Sequence, residues 1–405
     1  MRTAILPMLV AGLVSTPALA DPLVLKPIVD ARLRYEHVDQ APLPSDADAV
    51  TARIRAGFEA ISGDFTLLAE SEAVLAINPA YNSGLNGKTR YPIVPDPQNV
   101  ELNRLQLQYR GLPATIVTVG RQRINLDDQR FVGSVGWRDN EQTFDAARVE
   151  WSGIKNLKAD VTYAWDTRTI WGIDGGNRFG LARYQGIGGD NIFATLAYKA
   201  RLGTLTGFAY LIDQDRPLVL GNSSQTYGAR FAGALPLSKT IKLNYVASYA
   251  RQSDYARNPN RYAASYYAAD VALDVKAFKV GGGYEVLGAD NGLTLTSFQT
   301  PLATLHKFNG WADKFLVTPP NGLRDAYGSV GYGWKKQGPF DAIALTAAYH
   351  RFDSDRLGQH YGDEIDVQAS LKRGRYTALV KYADYDADRF ATDTSKLWLS
   401  LEWAI

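Results

Sequence analysis

The sequence predicts an all-β protein, a transmembrane antiparallel β-barrel of about eighteen strands with long extracellular loops and short periplasmic turns. Three observations carry this prediction. Hydrophobicity alternates with period two beyond residue 25, the apolar faces finish in Tyr or Trp, and the connections alternate strictly between short and long.

The first segment reads as an address. Met1–Arg2 supplies a positive charge, Ile5 to Leu13 is an apolar run, and Ala18-Leu19-Ala20 is an A-x-A cleavage site before Asp21. This predicts a signal peptide over 1–20 and a single barrel domain over 21–405. No later stretch is apolar for long enough to form a spanning helix.

The strands follow in order. Over Pro27–His37, Val29, Ala31, Leu33 and Tyr35 share one face, while Asp30, Arg32, Arg34 and Glu36 share the other. Over Thr51–Ile61, Ala52, Ile54, Ala56 and Phe58 oppose Arg53, Arg55, Gly57 and Glu59. Tyr267, Ala269, Val271 and Leu273 repeat the pattern, as do Ile365, Val367, Ala369 and Leu371. The chain ends on Leu397, Leu399, Leu401 and Trp403. Faces rich in Ala, Val and Leu that end in an aromatic suit a lipid-facing wall with aromatic girdles.

The connections give the topology. Short turns fall at 62–64, 111–113, 153–156, 202–204, 235–238, 276–277, 338–339 and 373–375. Long polar loops lie near 39–49, 78–99, 122–142, 166–190, 212–224, 252–264, 287–324, 353–360 and 386–394. The 405 residues less a 20-residue leader leave about 21 per strand and connection, enough for the roughly 9–11 a tilted spanning strand needs. A soluble sandwich has no reason to alternate its loops this way; a bilayer imposes two unlike rims. A lumen of this width is too broad for wall side chains to fill.

Placing the polar faces inside puts Arg32, Arg34, Arg53, Arg55, Arg104, Arg110, Arg148, Lys158, Arg230, Lys242, Lys279, Lys372 and Lys381 in the lumen. An equal number of Asp and Glu share those faces, so most of the charges are expected to pair across strands. The group Arg32, Arg34, Arg53 and Arg55 on the first two strands is the best local candidate for binding carboxylates. The 122–142 loop is long enough to fold inward and narrow the bore, with Arg123, Asp127, Asp128, Arg130 and Arg138 as candidate path residues. Arg130 and at least one of Asp127 and Asp128 are expected inside the bore. The two aspartates read as anchors paired with the neighbouring Arg123 and Arg130.

Composition narrows the function. Lys and Arg number 44 against 42 Asp and Glu, too balanced for a nucleic-acid binder, and no cysteine is present for thiolate chemistry. His37, His306, His350 and His360 have no metal spacing, and there is no G-x-S-x-G elbow. The reading is a channel without cofactor, metal or catalysis, in contact with outer-membrane lipid. A general porin of little charge preference stays open, as does a barrel blocked by the 287–324 loop; a barrel enzyme has less support.

Two segments carry a family resemblance. Gly120-Arg121-Gln122-Arg123-Ile124-Asn125-Leu126-Asp127-Asp128-Gln129-Arg130-Phe131-Val132-Gly133 runs through Trp137-Arg138 to Gln142-Thr143-Phe144-Asp145-Ala146. The second runs from Phe298-Gln299-Thr300-Pro301 through His306-Lys307-Phe308-Asn309-Gly310-Trp311-Ala312-Asp313 to Gly322-Leu323-Arg324-Asp325. Both resemble the signature of the alginate export family of outer-membrane porins. The resemblance implies an eighteen-stranded barrel, an acidic oligo- or polysaccharide solute guided by lumenal arginines, and periplasmic export partners. It leaves open whether transport is export or uptake.

Overall fold

The computed structural model describes residues 22–176 and 180–405; the expected signal peptide lies outside them. Eighteen strands run in chain order. The first six are β1 (Val24–Gln40), β2 (Ala47–Ser62), β3 (Phe65–Ala80), β4 (Asn99–Leu112), β5 (Thr115–Gln122) and β6 (Thr143–Trp151). Next come β7 (Leu157–Arg168), β8 (Gly186–Lys199), β9 (Thr204–Ile212), β10 (Ser224–Pro236), β11 (Ile241–Asp254) and β12 (Ala263–Val275). The last six are β13 (Phe278–Leu287), β14 (Leu323–Gln337), β15 (Phe340–Asp353), β16 (His360–Arg373), β17 (Tyr376–Ala387) and β18 (Thr394–Ala404).

Every neighbour in sequence pairs antiparallel, and β18 returns to β1 from Asp30↔Ala404 to Gln40↔Thr394, so the barrel closes without a free edge. Closure satisfies the backbone hydrogen bonds that lipid cannot. Eight turns of two to five residues alternate with nine loops of six to 35 residues, at the positions the sequence predicts. At the turn before Tyr376, Gly374 takes φ +56°, a left-handed position that a side chain would strain. Among the described residues no helix is long and apolar enough to cross a membrane.

The two faces separate cleanly. Leu33, Ile54, Val271, Val380, Leu399 and Leu401 are exposed on the outer wall, whereas Arg32, Arg34, Arg53, Arg55, Lys381 and Trp398 are buried inside. The interior also holds an apolar core. Ile124, Leu126, Val132, Phe298, Leu302 and Phe315 from two loops pack on Phe144, Phe193, Phe208, Tyr266, Phe352 and Trp398 from the wall. The bore is therefore partly filled by chain that enters it from the rim.

Candidate functional site

The β5–β6 loop (residues 123–142) crosses the bore. From its root between neighbouring strands it reaches the wall on both sides, which only an inward path allows. At one end the Trp137 carbonyl accepts Arg32 Nη1 at 2.9 Å and Arg34 Nη1 at 2.7 Å, both from β1. Asp139 accepts the Thr51 hydroxyl of β2 at 2.6 Å, and Arg138 pairs with Glu36 of β1 at 3.1 Å. At the other end Asp128 pairs with Arg230 of β10 at 3.3 Å, Thr206 of β9 hydrogen-bonds Asp127, and Arg130 Nε donates to Glu285 of β13 at 2.7 Å.

The β13–β14 loop (residues 288–322) lies against it. Gly133 N–H donates to the Leu302 carbonyl at 2.9 Å, Gln142 Nε2 donates to the same carbonyl at 3.1 Å, and Val135 N–H donates to Thr304 Oγ1 at 3.1 Å. Trp137 stacks on His306 with centroids 4.4 Å apart and planes 7° apart. Burial pushes the His306 imidazole well below its ordinary range, so it is neutral near pH 7. Its Nδ1 faces Asp313 at 2.8 Å and its Nε2 faces Lys381 Nζ at 2.7 Å, which fits a neutral ring donating to the first and accepting from the second. Lys381 Nζ also lies 3.7 Å from the Trp311 ring centroid and 4.3 Å from that of Trp137. The turn carrying these groups is seated on Glu364, whose Oε1 accepts the N–H groups of Trp311 and Ala312. Gly310 is required there: φ is +80°, and a Cβ would collide with the Glu364 carboxylate.

The candidate residues divide into two groups. Arg32, Arg34, Arg53 and Arg55 do collect on one wall, Arg32 directly opposite Arg53. They lie beneath the loop instead of along an open ladder, Arg34 being 1% exposed and Arg53 3%. Arg32 pairs with Glu402 and Asp139, Arg53 with Asp30, Arg55 with Glu72 and Glu141, and Arg104 with Glu70. Among the described residues Arg34 has no carboxylate within salt-bridge distance; it lies over the Trp137 ring at 4.2 Å, with no partner for Nε and Nη2. Arg148 pairs with Asp160 and Glu150, and Arg123 with Glu141.

The expected local pairing of Asp127 and Asp128 with Arg123 and Arg130 does not form. A turn closed by Gln129 N–H to the Leu126 carbonyl at 2.8 Å directs both aspartates to β9 and β10, while the two arginines find Glu141 and Glu285. His306, Asp313, Trp311 and Lys381 hold the loops in place, yet spacing gives no hint of it. They lie up to 75 residues apart, and only an inward loop brings them together.

Between the loop pair and the wall of β10–β15 remains a cavity of about 380 Å³. Arg130, Arg230, Lys307 and His350 line it with Asp128, Asp270, Glu285 and Asp325, beside the rings of Tyr266, Phe308, Trp311 and Tyr327. A larger apolar hollow of about 830 Å³ lies on the outer wall between Leu33, Ile54, Leu75 and Trp403, where lipid covers it. Among the described residues no group of His, Asp and Glu has the geometry of a metal site.

Residues 30–171 match the alginate export family. That span contains the β5–β6 loop and ends before the 298–325 segment. No curated protein matches the chain. The fold resembles Pseudomonas aeruginosa OpdO at TM-score 0.70 and 16% identity, over 94% of this chain and 97% of that one. It also resembles Pseudomonas aeruginosa OpdL (0.67, 16%, 94% and 98%) and Acinetobacter baumannii OccAB4 (0.68, 12%, 94% and 98%). The chain thus has the fold of outer-membrane porins and belongs in the bacterial outer membrane.

Proposed function

We propose that this barrel is a passive outer-membrane channel for short acidic saccharides, in which cationic side chains in the bore guide carboxylates. The observation that carries the reading is the restricted cavity beside the inward loops, about 380 Å³ with cations, carboxylates and aromatic rings on its walls. That volume lies in the range of roughly 300–1,000 Å³ typical of small-molecule sites, which favours a few sugar units over a long chain. The alginate export match supports a uronate as solute. In this reading the arginines of β1 and β2 hold the loop from beneath, with Arg130 and Arg138 fixing its course. Periplasmic partners and the direction of transport follow from where the solute is made or consumed, and transport needs no catalysis.

A second reading has its own support. Pseudomonas aeruginosa OpdK, of similar fold, was determined with vanillate, and the cavity here joins aromatic rings to cations. A channel for small aromatic carboxylates would use the same walls. Planar-bilayer conductance separates the two: a guluronate trisaccharide should block the open channel at lower concentration than benzoate, with maltotriose inert. Block by benzoate alone favours the second reading, and equal indifference to all three indicates a general porin.

A further inference from the structure

We propose that Arg230 of β10, with Lys307 of the β13–β14 loop beside it, is the carboxylate-selecting clamp of the channel, and that the arginine-rich wall of β1–β3 is not. The proposal rests on the reading of the cavity as the solute path and assigns the residue that decides what passes.

Arg53, Arg55 and Arg104 have carboxylate partners, and the β5–β6 loop covers them and Arg34. A solute carboxylate would have to displace the loop to reach them, and at Arg53, Arg55 and Arg104 an ion pair as well. Arg130 faces the cavity but gives Nε and Nη2 to Glu285 at 2.7 and 3.2 Å and Nη2 also to Asn309 at 2.9 Å, so its fork is occupied.

Arg230 differs. Among the described residues its ion pair is a single contact of 3.3 Å from Nη2 to Asp128, and its buried Nε has no acceptor, a deficit shared with Arg34 and Arg53 but placed here on the cavity wall. A buried guanidinium N–H without an acceptor is costly, and an arriving carboxylate relieves that cost while meeting the fork's bidentate geometry. Lys307 brackets the same aspartate: its exposed Nζ donates to the Asp128 carbonyl at 2.8 Å and keeps further protons free. The acidic groups on the cavity wall are already supplied with donors. Glu285 accepts from Arg130, Tyr266 and Asn309, Asp325 from Asn309 and His350, and Asp270 from the Tyr327 hydroxyl at 2.7 Å. Cationic N–H groups open to an anion are therefore centred on Arg230 and Lys307, on a wall that also carries Asp128, Asp270, Glu285 and Asp325. Phe308 and Tyr266 lie on the same cavity wall, with the Arg130 guanidinium over their rings at 4.7 and 6.0 Å. Asp128 acts as the clamp's resident counter-ion, a placeholder that an incoming carboxylate replaces.

Single-channel block by a guluronate trisaccharide and by benzoate tests this in the full-length barrel. Arg230→Gln should raise the half-blocking concentration of either carboxylate about tenfold, and Arg230→Lys should restore part of the loss. Asp128→Asn frees the clamp and should lower that concentration several-fold, a gain that a merely structural role would not produce. Arg53→Gln should leave block unchanged, and maltotriose should respond to none of the variants. Should guluronate fail to block wild type while benzoate block follows Arg230 and Asp128, the clamp stands and the saccharide reading falls. Block that is insensitive to Arg230 and Asp128, or that is lost in Arg53→Gln, overturns the clamp. A channel that neither carboxylate blocks overturns it as well.

Discussion

Arg138 shows how a single side chain fixes the loop. Its guanidinium is buried and meets Glu36 at 3.1 Å, Asp96 at 3.5 Å and Asp313 at 2.8 Å, joining β1 and two other loops at one point. Removing one partner of such a buried pair costs about 3–5 kcal/mol, because the carboxylates left behind stay desolvated. Arg138→Gln should therefore release the loop without opening the barrel. Limited proteolysis should cut within 123–142 in the variant and spare the wild type, and current noise should rise.

Acid should act on the same loop through nearby carboxyls. Burial opposes the ionised form of Asp139, but Arg34 and Arg32 outweigh it and hold the group below its ordinary 3.8. Glu141, likewise buried, is held below 4.5 by Arg55 and Arg123. A depressed carboxyl gives stability that is complete above its unfolded value and disappears as pH falls through the folded one. Asp96 has the opposite sign: burial and the nearby Asp139 push it up to about 6, so its contribution weakens as pH rises through that value. Loop noise in bilayer recordings should be lowest near pH 5 and climb below pH 4. A flat profile down to pH 3 would disprove this anchoring.

At the scale of elements, each strand answers to lipid on one face and to the filled bore on the other. Leu399 of β18 is 43% exposed on the outer wall between Val380 of β17 and Tyr35 of β1. Arginine at such a mid-membrane position costs about 2–4 kcal/mol, so Leu399→Arg should lower stability by that amount in urea titrations from lipid. Its inward neighbour Ser400 should accept a charge at far less cost. The alternation behind this contrast was legible throughout, because a side-chain period of two is a property of the local backbone. The turns were legible for a related reason: glycine and polar residues mark positions that strands cannot continue through.

At the scale of the whole molecule, closure and obstruction are separate achievements. The ladder from β1 to β18 needs neither inward loop for its hydrogen bonds. Replacing residues 290–320 with a short Gly-Ser connection should leave the β-sheet circular dichroism intact and raise small-ion conductance at least twofold. Conductance equal to wild type would mean that the β13–β14 loop does not narrow the bore.

The sequence by itself determined the strand order, the inward and outward faces, the unlike rims and the lumenal position of the arginines, since each follows from pattern within a few residues under the constraint of a bilayer. Only the tertiary structure decided which charges meet. Arg32 finds Glu402 across 370 positions, and Arg130 finds Glu285 across 155. With thirteen cations and thirteen anions on the inner faces, the sequence allows many pairings of similar local merit. The path of the β5–β6 loop selects among them, covering the arginine-rich wall of β1–β3 and leaving Arg230 facing the cavity. That choice depends on how a Trp137–His306 stack and a buried Arg138 fit inside a closed cylinder, a three-dimensional packing problem that no periodicity encodes.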